Sequence, residues 1–244
     1  MAVEVLIGHG EAMIIVESSV EFSQGEVARI VERIAQTEVK TKLLLVPQDP
    51  NLAANQKEQI RCGDNGIFKG CVPSAEEQAL SQFVRDMYQV WPTDGKMVLD
   101  ARDKDRAKLT ICQSQAKTAD IRDFVSQHKI SKQYNLTDVI INPLGEWTGG
   151  VNVDSGATNR KLGTDMGSAV TGGGLHGKDL GKADVSINIY AHQQALKLNK
   201  PVEYSCSIGD ITVDDIPYVD MVTSAGEYIK QLGGFEKLAE WGLV

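Results

Sequence analysis

A chain of 244 residues is long enough to bury a sizeable hydrophobic core, as one larger domain or as two or three smaller repeated units. A hydrophobic content of 42% beside 24% charged residues is ordinary for a globular protein in water. The net charge of −8 argues against a general nucleic-acid or membrane surface, and no apolar run is long enough to span a membrane.

Residues 1–92 predict the order strand, strand, helix, strand, loop and helix. The strands follow from alternating or continuous apolar runs, and each helix follows a capping box and carries one apolar face. The predicted elements are strands at Val3–Ile7 and Met13–Val20, a helix after the box Ser23–Glu26, a strand at Lys42–Val46, a polar loop at Gln48–Val72, and a helix after the box Ser74–Glu77.

The same order recurs in residues 93–199, and a third copy starts after it and stops early. The second copy has strands at Lys96–Ala101 and Ala107–Gln113, a helix around Ile121, a strand at Thr137–Ile141, a glycine-rich loop at 145–184, and a helix from Asp184 to Leu198. The third has strands at Val202–Ile208 and Ile211–Val222 and a helix capped by Ser224 and Glu227. We expect an α+β fold of sheet-plus-helix units at 1–92, 93–199 and 200–244, whose sheet faces pack together.

The loop at 145–184 is the predicted active site, because it combines nearly half of the glycines with cations and spaced carboxylates. Glycine lets the backbone come close to a ligand, lysine and arginine bind phosphate oxygens, and aspartate binds Mg²⁺. The cations are Arg160, Lys161, Lys178 and Lys182, and the carboxylates are Asp154, Asp165, Asp179 and Asp184. This composition predicts a site for a polyphosphate and its metal.

Several of these residues have a simpler interpretation. Gly172–Lys178 matches the start of a phosphate-binding loop, but Asp179 stands where Ser or Thr should hold Mg²⁺, so a P-loop NTPase is a poor prediction. Asp184 could merely cap its helix, and Arg160 with Lys161 could be a solvated pair. Trp147, on a glycine-flanked loop, is a plausible stacking platform for a base.

Histidines and cysteines add little to the predicted site. His9 and His128 are expected at the surface, whereas His176 lies inside the glycine turn beside Lys178. The four cysteines show no CxxC spacing and no pairing with histidine, so we expect reduced thiols in a cytoplasmic protein and no zinc. The amino terminus lacks the basic start of a signal peptide.

These motifs resemble those of the S-adenosylmethionine synthetase (methionine adenosyltransferase) family, in order and nearly in spacing. In the glycine-rich loop the matching residues are Asp154-Ser-Gly156, Asn159-Arg160-Lys161, Asp165, Gly172–Gly174, Gly177-Lys178-Asp179 and Lys182-Ala-Asp184. Elsewhere they are Glu4, Glu17, Gln48-Asp-Pro50, Gly63-Asp64-Asn65-Gly66 and Asp94-Gly-Lys96. The family fold is also a threefold repeat of sheet-and-helix units.

The resemblance implies synthesis of S-adenosylmethionine from ATP and L-methionine, with release of phosphate and diphosphate. The implied ATP contacts are Asp94, Lys96, Glu146, Trp147, Asp154, Arg160, Lys161, Gly174 and Lys178. The implied methionine contacts are Glu17, Gln48, Asp64, Asp154 and Lys182, and the implied metal ligands are Asp184 for Mg²⁺ and Glu4 for K⁺. The expected catalytic residues are Lys178, Arg160, Lys161 and, by its position on the glycine turn, His176.

The sequence also departs from the family pattern. It contains no His-Pro-Asp segment and no counterpart of the family's C-terminal tail, and Glu146 stands where the family has arginine. We therefore expect a shortened form of the family. Because a repeated sheet unit with one apolar face needs a partner face to cover it, we also expect a homodimer or dimer of dimers, with active sites at the subunit interface. The alternative is a catalytically weak nucleotide-binding subunit or pseudoenzyme that needs a partner to supply the missing segment.

Overall fold

In the computed structural model of the chain, the order strand, strand, helix, strand occurs twice, and the strands of each copy pair in one sheet. The described residues are 2–8, 10–18, 21–35, 38–47, 59–60, 66–103, 106–149, 169–172, 183–234, 236–238 and 243. Of these, residues 2–4, 7, 17–18, 34–35, 169–172 and 183–184 are described by their backbone alone.

The first copy agrees closely with the sequence prediction, and the segment that follows it contains one strand that was not predicted. The elements are β1 (Ala2–Gly8), β2 (Glu11–Ser18), α1 (Gln24–Ala35), β3 (Lys40–Pro47), β4 (Gly66–Gly70) and α2 (Ala75–Val90). β1 is antiparallel to β2, and β3 is parallel to β2 because α1 crosses over between them. Ser23 caps α1, accepting a hydrogen bond from the Glu26 N–H at 3.1 Å, and Ser74 and Glu77 form a complete capping box on α2.

The second copy repeats the strand directions of the first. Its elements are β5 (Gly95–Asp100), β6 (Ala107–Gln113), α3 (Thr118–Gln127), α4 (Lys129–Gln133), β7 (Leu136–Ile141), β8 (Ala169–Gly172) and α5 (Ala183–Leu198). β5 is antiparallel to β6, and β6 is parallel to β7. β8 pairs antiparallel with the free edge of β5, which gives the order β7-β6-β5-β8.

Helices α2 and α3 bury one face of this four-stranded sheet. The core residues are Leu80, Phe83, Val84 and Met87 of α2, Met97, Leu99, Leu109 and Ile111 of the sheet, and Ile121 and Val125 of α3. Burying each large apolar side chain stabilises the fold by about 1.5–3 kcal/mol. The four α2 residues are spaced i, i+3, i+4 and i+7, as on the single apolar face that the sequence predicts for this helix.

A further small sheet is formed by β4 and by β9 (Val202–Cys206), which pair antiparallel. Helix α5 packs on this pair. A β-carbon at Gly70 would collide with the backbone carbonyl of Ala191, so only glycine at this position lets α5 approach β4. The remaining elements are β10 (Thr212–Val213), β11 (Ile216–Pro217) and α6 (Tyr218–Leu232).

The structure corrects two predictions in the carboxyl-terminal part. In place of the predicted strand Ile211–Val222, the structure has a hairpin of two strands of two residues each, followed by a helix. Asp214 and Asp215 adopt φ values of 46° and 66° and reverse the chain between the two strands. Ser224 therefore lies inside α6, where its hydroxyl donates to Oε1 of Gln193 at 2.7 Å, and it does not cap the helix.

Two predicted loops also contain strands. β4 lies in the predicted polar loop Gln48–Val72, and β8 lies in the predicted glycine-rich loop. Both are only four or five residues long and have no alternating apolar pattern of their own. Their conformation depends on their partners β9 and β5, which no local sequence pattern identifies.

The α+β class and the repeated sheet-plus-helix order are confirmed. The chain forms two compact units: one contains β1–β4, α1, α5, β9–β11 and α6, and the other contains α2, β5–β8, α3 and α4. The predicted boundaries after residues 92 and 199 and the cytoplasmic location stay predictions. Among the described residues, no helix is both long and apolar enough to cross a membrane.

Candidate functional site

Four of the predicted site residues have described side chains: Asp94, Lys96, Glu146 and Trp147. The predicted residues outside the described ranges are Gln48, Asp64, Asp154, Arg160, Lys161, Gly174, His176, Lys178 and Lys182. For Glu4, Glu17 and Asp184 only the backbone is described, in β1, β2 and the first turn of α5. The described part of the site therefore lies on β5 and on the segment after β7.

Strand pairing brings the start of the glycine run to the predicted phosphate-binding lysine. Gly172 lies directly opposite Gly95 in the β5–β8 pairing, and Thr171 lies opposite Lys96. Residues opposite each other in antiparallel strands have Cα atoms about 4.5–5.5 Å apart. Two segments separated by some 75 positions in the sequence thus meet at one end of the second sheet.

Lys96 points away from the core of its unit. Along β5 it alternates with the buried Gly95 and Met97, and its exposed side chain shares the outer face with Cys112, its cross-strand neighbour. Among the described residues, none forms an ion pair with Lys96. Its ammonium group is available to an anionic ligand.

Gln113, the last residue of β6, fixes the backbone before Lys96. Its buried side chain donates from Nε2 to Oγ1 of Thr93 at 2.9 Å. A β-carbon at Gly95 would lie 2.5 Å from Gln113 Oε1, so a larger residue there would displace the Gln113 amide. The side chain of Asn142 brackets Gln113, accepting from its backbone N–H at 2.9 Å and donating to its carbonyl at 3.1 Å.

Ser114 and Gln115 continue this turn and contact both predicted sides of the site. The backbone N–H and the hydroxyl of Ser114 both donate to the carbonyl of Asp94, at 2.9 and 2.8 Å. The backbone N–H of Gln115 donates to the carbonyl of Trp147 at 2.9 Å. The segments that carry Lys96 and Trp147 are therefore held by consecutive residues of one turn, which we call the Gln113–Gln115 turn.

Trp147 is 38% exposed, which is unusual for a tryptophan with a structural role in a core. Its ring lies over the backbone of Gly149, where an added β-carbon would be 2.5 Å from the indole. A half-exposed indole backed by a glycine suits stacking of a flat ligand on the open side.

Glu146 has a structural contact that the sequence does not reveal. Its Oε1 accepts a hydrogen bond from the backbone N–H of Thr118 at 3.0 Å, at the start of α3. Lys117, at the N-cap position of α3, makes no capping bond with its side chain. Glu146 thus supplies the negative charge that a helix amino terminus favours.

His128 is predicted at the surface, and that prediction is wrong. Its ring is 10% exposed, stacks on Phe124 and meets the edge of Phe83. Nδ1 accepts from the Ile130 N–H, so Nε2 carries the hydrogen and donates to Asp86 at 2.9 Å. Burial alone raises the pKa of Asp86, but the hydrogen bonds from His128 and Gln82 outweigh burial and lower it.

Sequence reasoning missed the Gln113–Gln115 turn and Asn142. A Gln-Ser-Gln tripeptide at the end of the predicted strand Ala107–Gln113 was the available signal, because polar side chains at a strand end commonly bond neighbouring backbone. The backbone groups that these side chains bond belong to segments distant in the sequence, and the tertiary structure determines which segments they are. Together the described residues offer a free cation, close-approach glycines and an exposed indole, a combination suited to a nucleotide with phosphates.

Comparison with known proteins gives a structural likeness. The chain is similar to a solved structure described as an unusual S-adenosylmethionine synthetase from Campylobacter jejuni, with a TM-score of 0.55 and 17% sequence identity. The alignment covers 100% of this chain and 85% of that one. No protein-family profile and no curated protein sequence matches the chain. The chain has an S-adenosylmethionine synthetase-like fold.

Proposed function

We propose that the chain is a methionine adenosyltransferase, which makes S-adenosylmethionine from ATP and L-methionine and releases phosphate and diphosphate. The observation that carries the proposal is the pairing of Gly95 with Gly172, because it joins Lys96 to the start of the glycine run. These two motifs resemble the family's phosphate-binding segments. The fold, similar along the whole chain to that of an S-adenosylmethionine synthetase, gives independent support.

The reaction suits the residues. The sulfur of methionine forms a bond to the 5′ carbon of ATP while the bond from that carbon to the phosphate oxygen breaks. Tripolyphosphate leaves, and water then cleaves it to phosphate and diphosphate. The thioether is a neutral nucleophile and needs no base, whereas the leaving group gathers negative charge, so positioned cations lower the barrier.

The cations proposed for this role are Lys96, Arg160, Lys161 and Lys178. We also propose that His176 donates a hydrogen bond to the departing phosphate oxygens, since it lies two positions before Lys178 on the glycine turn. Asp94, Glu146, Trp147, Asp154 and Gly174 complete the proposed ATP site. The proposed methionine site consists of Glu17, Gln48, Asp64, Asp154 and Lys182.

Two metal ions belong to the proposal. Asp184 would hold Mg²⁺, a hard cation that takes carboxylate and phosphate oxygens and would neutralise charge on the polyphosphate. The backbone of Asp184 lies in the first turn of α5, a position where a carboxylate also stabilises the helix end. Glu4, on β1, would contribute to a K⁺ site.

We further propose self-association through the outer face of the first sheet, defined by Leu6, Met13, Leu44 and Val46. These side chains are 58%, 42%, 54% and 39% exposed, and a sheet face of this kind normally needs a cover. Glu17 lies in the same cross-strand row as Val46, so a second copy on this face would bring the subunit interface to the proposed methionine site. Each of the two outer faces also carries one exposed ion pair, Lys40–Glu11 on the first sheet and Lys69–Glu203 on β4 and β9.

The test is to incubate the purified chain with ATP, L-methionine, Mg²⁺ and K⁺ and to quantify products by chromatography. We expect S-adenosylmethionine, phosphate and diphosphate in equal amounts over many turnovers. Tight ATP binding without product would favour the alternative of a nucleotide-binding subunit that needs a partner. Absence of both product and ATP binding would reject the two functions together.

A further inference from the structure

We propose that Gln115 is a positioning residue for Trp147, fixing the indole on which the nucleotide base stacks. This inference rests on the proposed function, because it gives Trp147 the base as its ligand. In this inference, Gln115 contacts neither substrate but sets the orientation of Trp147, which contacts the base. Gln115 belongs to the Gln113–Gln115 turn and is distant in sequence from the loop it holds.

Gln115 contacts the Trp147 loop at two points. Its backbone N–H donates to the Trp147 carbonyl at 2.9 Å, and its side-chain Nε2 donates to the Gly149 carbonyl at 2.8 Å. The two acceptors flank Thr148, so the pair of bonds fixes both ends of a three-residue segment. A single hydrogen bond would leave that segment free to rotate, whereas two bonds define its direction.

The backbone of Gln115 adopts a strained conformation that makes both bonds possible. Its φ of 55° lies in the left-handed region, which is costly for a residue with a β-carbon. Glycine would adopt this conformation without strain but has no amide side chain to reach Gly149. The use of glutamine here is explained if the side-chain bond matters.

The contact between Trp147 and Gly149 also orients the indole. Because Gln115 holds the Gly149 carbonyl, it also fixes the backbone against which the indole lies. An alanine at Gly149 would put its β-carbon 2.5 Å from the ring and displace it. Gln115 thus acts on the ring through Gly149 as well as through the Trp147 carbonyl.

The same turn joins this platform to the phosphate side. Ser114, the neighbour of Gln115, makes two hydrogen bonds to the Asp94 carbonyl, two positions before Lys96. A base on Trp147 and a phosphate on Lys96 would therefore be set at a fixed separation by adjacent residues. Loss of the Gln115 bond is expected to weaken ATP binding and to leave methionine binding unchanged.

The test measures KM for each substrate and the ¹⁹F spectrum of protein labelled with 5-fluorotryptophan, in which the Trp147 signal is assigned by its loss in Trp147→Phe. The variants are Gln115→Ala, Gln115→Glu and Gly149→Ala. Gln115→Ala keeps the backbone strain nearly unchanged, and Gln115→Glu keeps the shape but cannot donate to the Gly149 carbonyl at neutral pH. The controls are Gln127→Ala on the exposed face of α3 and Gly226→Ala, where an added β-carbon meets nothing within 4 Å.

We expect each of the three variants to shift the Trp147 signal and to raise KM for ATP about fivefold, the size of one net hydrogen bond. KM for methionine should stay within about twofold, and both controls should behave as wild type. If Gln115→Ala and Gly149→Ala bind ATP as wild type while Trp147→Ala does not, the inference is overturned and the proposed function stands. If ATP leaves the Trp147 signal of the wild type unmoved and no product forms, the proposed function fails, and the inference fails with it.

Discussion

Glu146 accepts a hydrogen bond from the backbone N–H of Thr118 at 3.0 Å, and so caps helix α3 from a segment that follows β7. The first turn of a helix has N–H groups without partners inside the helix, and α3 receives no capping bond from the side chain of Lys117. The carboxylate therefore ties the segment that carries Trp147 to the start of α3.

Glu146→Ala should lower the free energy of unfolding by about 1 kcal/mol, as loss of a helix cap does, and Glu146→Gln should lower it less. In a chain of this size the melting temperature should fall by about 2–4 °C. Thermal unfolding measures this, and Glu227→Ala on the exposed face of α6 is the control. An unchanged melting temperature with a raised KM for ATP would mean that Glu146 contacts the nucleotide rather than the helix.

Lys96→Ala should raise KM for ATP by about 10- to 100-fold, since a hydrogen bond to a charged phosphate contributes about 1.5–3 kcal/mol. Lys108→Ala is a matched control, because Lys108 lies on the outer face of the same sheet and pairs only distantly with Asp138, at 3.9 Å. Steady-state kinetics with varied ATP measure both. Equal effects of the two substitutions would show that Lys96 contributes only general positive charge.

Trp147→Ala should weaken ATP far more than methionine, because it removes a stacking face that contributes about 1–3 kcal/mol in base–aromatic contacts. Trp147→Phe keeps an aromatic face and should have a mild effect. Calorimetric titration with each substrate separately gives the comparison. Equal losses for the two substrates would assign Trp147 to packing.

The Asp86–His128 contact should make stability depend on pH in the acid range. The pKa of Asp86 is lowered in the folded chain, so its contribution is complete above the ordinary carboxyl value of about 4 and is lost as the pH falls through the lowered value. Asp86→Asn should therefore be destabilised relative to wild type at pH about 6, and the difference should shrink toward pH about 3.

Urea unfolding across that range measures the difference. It should be no more than about 1 kcal/mol, because the Asp86 side chain is 39% exposed and water screens the pair. Asp123→Asn, on the exposed side of α3, is the control. A difference that grows on acidification would contradict the prediction.

Leu44→Lys should convert a self-associated protein into monomers, because it puts a charge into the apolar outer face of the first sheet. Ile67→Lys is the matched control, since Ile67 is 63% exposed but lies on the outer face of a different sheet, that of β4 and β9. Light scattering at micromolar concentration distinguishes the two. A wild-type chain that is monomeric and fully active would reject self-association through this face.

Part of the candidate site could be predicted from sequence, because some residue types in a given context indicate which ligand they bind. Trp147 between glycines was identified in this way, and Lys96 was identified through the resemblance of Asp94-Gly-Lys96 to the family motif. Both side chains are exposed in the structure. The contacts of Gln115, Asn142 and Glu146 could not be predicted. Each of these side chains bonds backbone about 30 positions away, and no spacing rule covers such pairs.

Local patterns determined most of the fold. The Ser23 cap of α1, the capping box at Ser74 and the apolar face of α2 each depend on residues within a few positions of one another, so short-range patterns were enough to find them. The strand–strand–helix–strand order, and with it the repeat, followed directly. Interactions between residues within about one helix turn of each other are enough to specify these elements.

Tertiary structure alone decided β4 and β8, the end of the strand at Val213, and the burial of His128. A strand of four or five residues is not stable by itself and forms only where another edge offers hydrogen bonds. β8 forms by pairing with the edge of β5, and β4 forms by pairing with the edge of β9. The meeting of Gly172 with Gly95, on which the proposed site rests, is a property of that pairing and of no local sequence pattern.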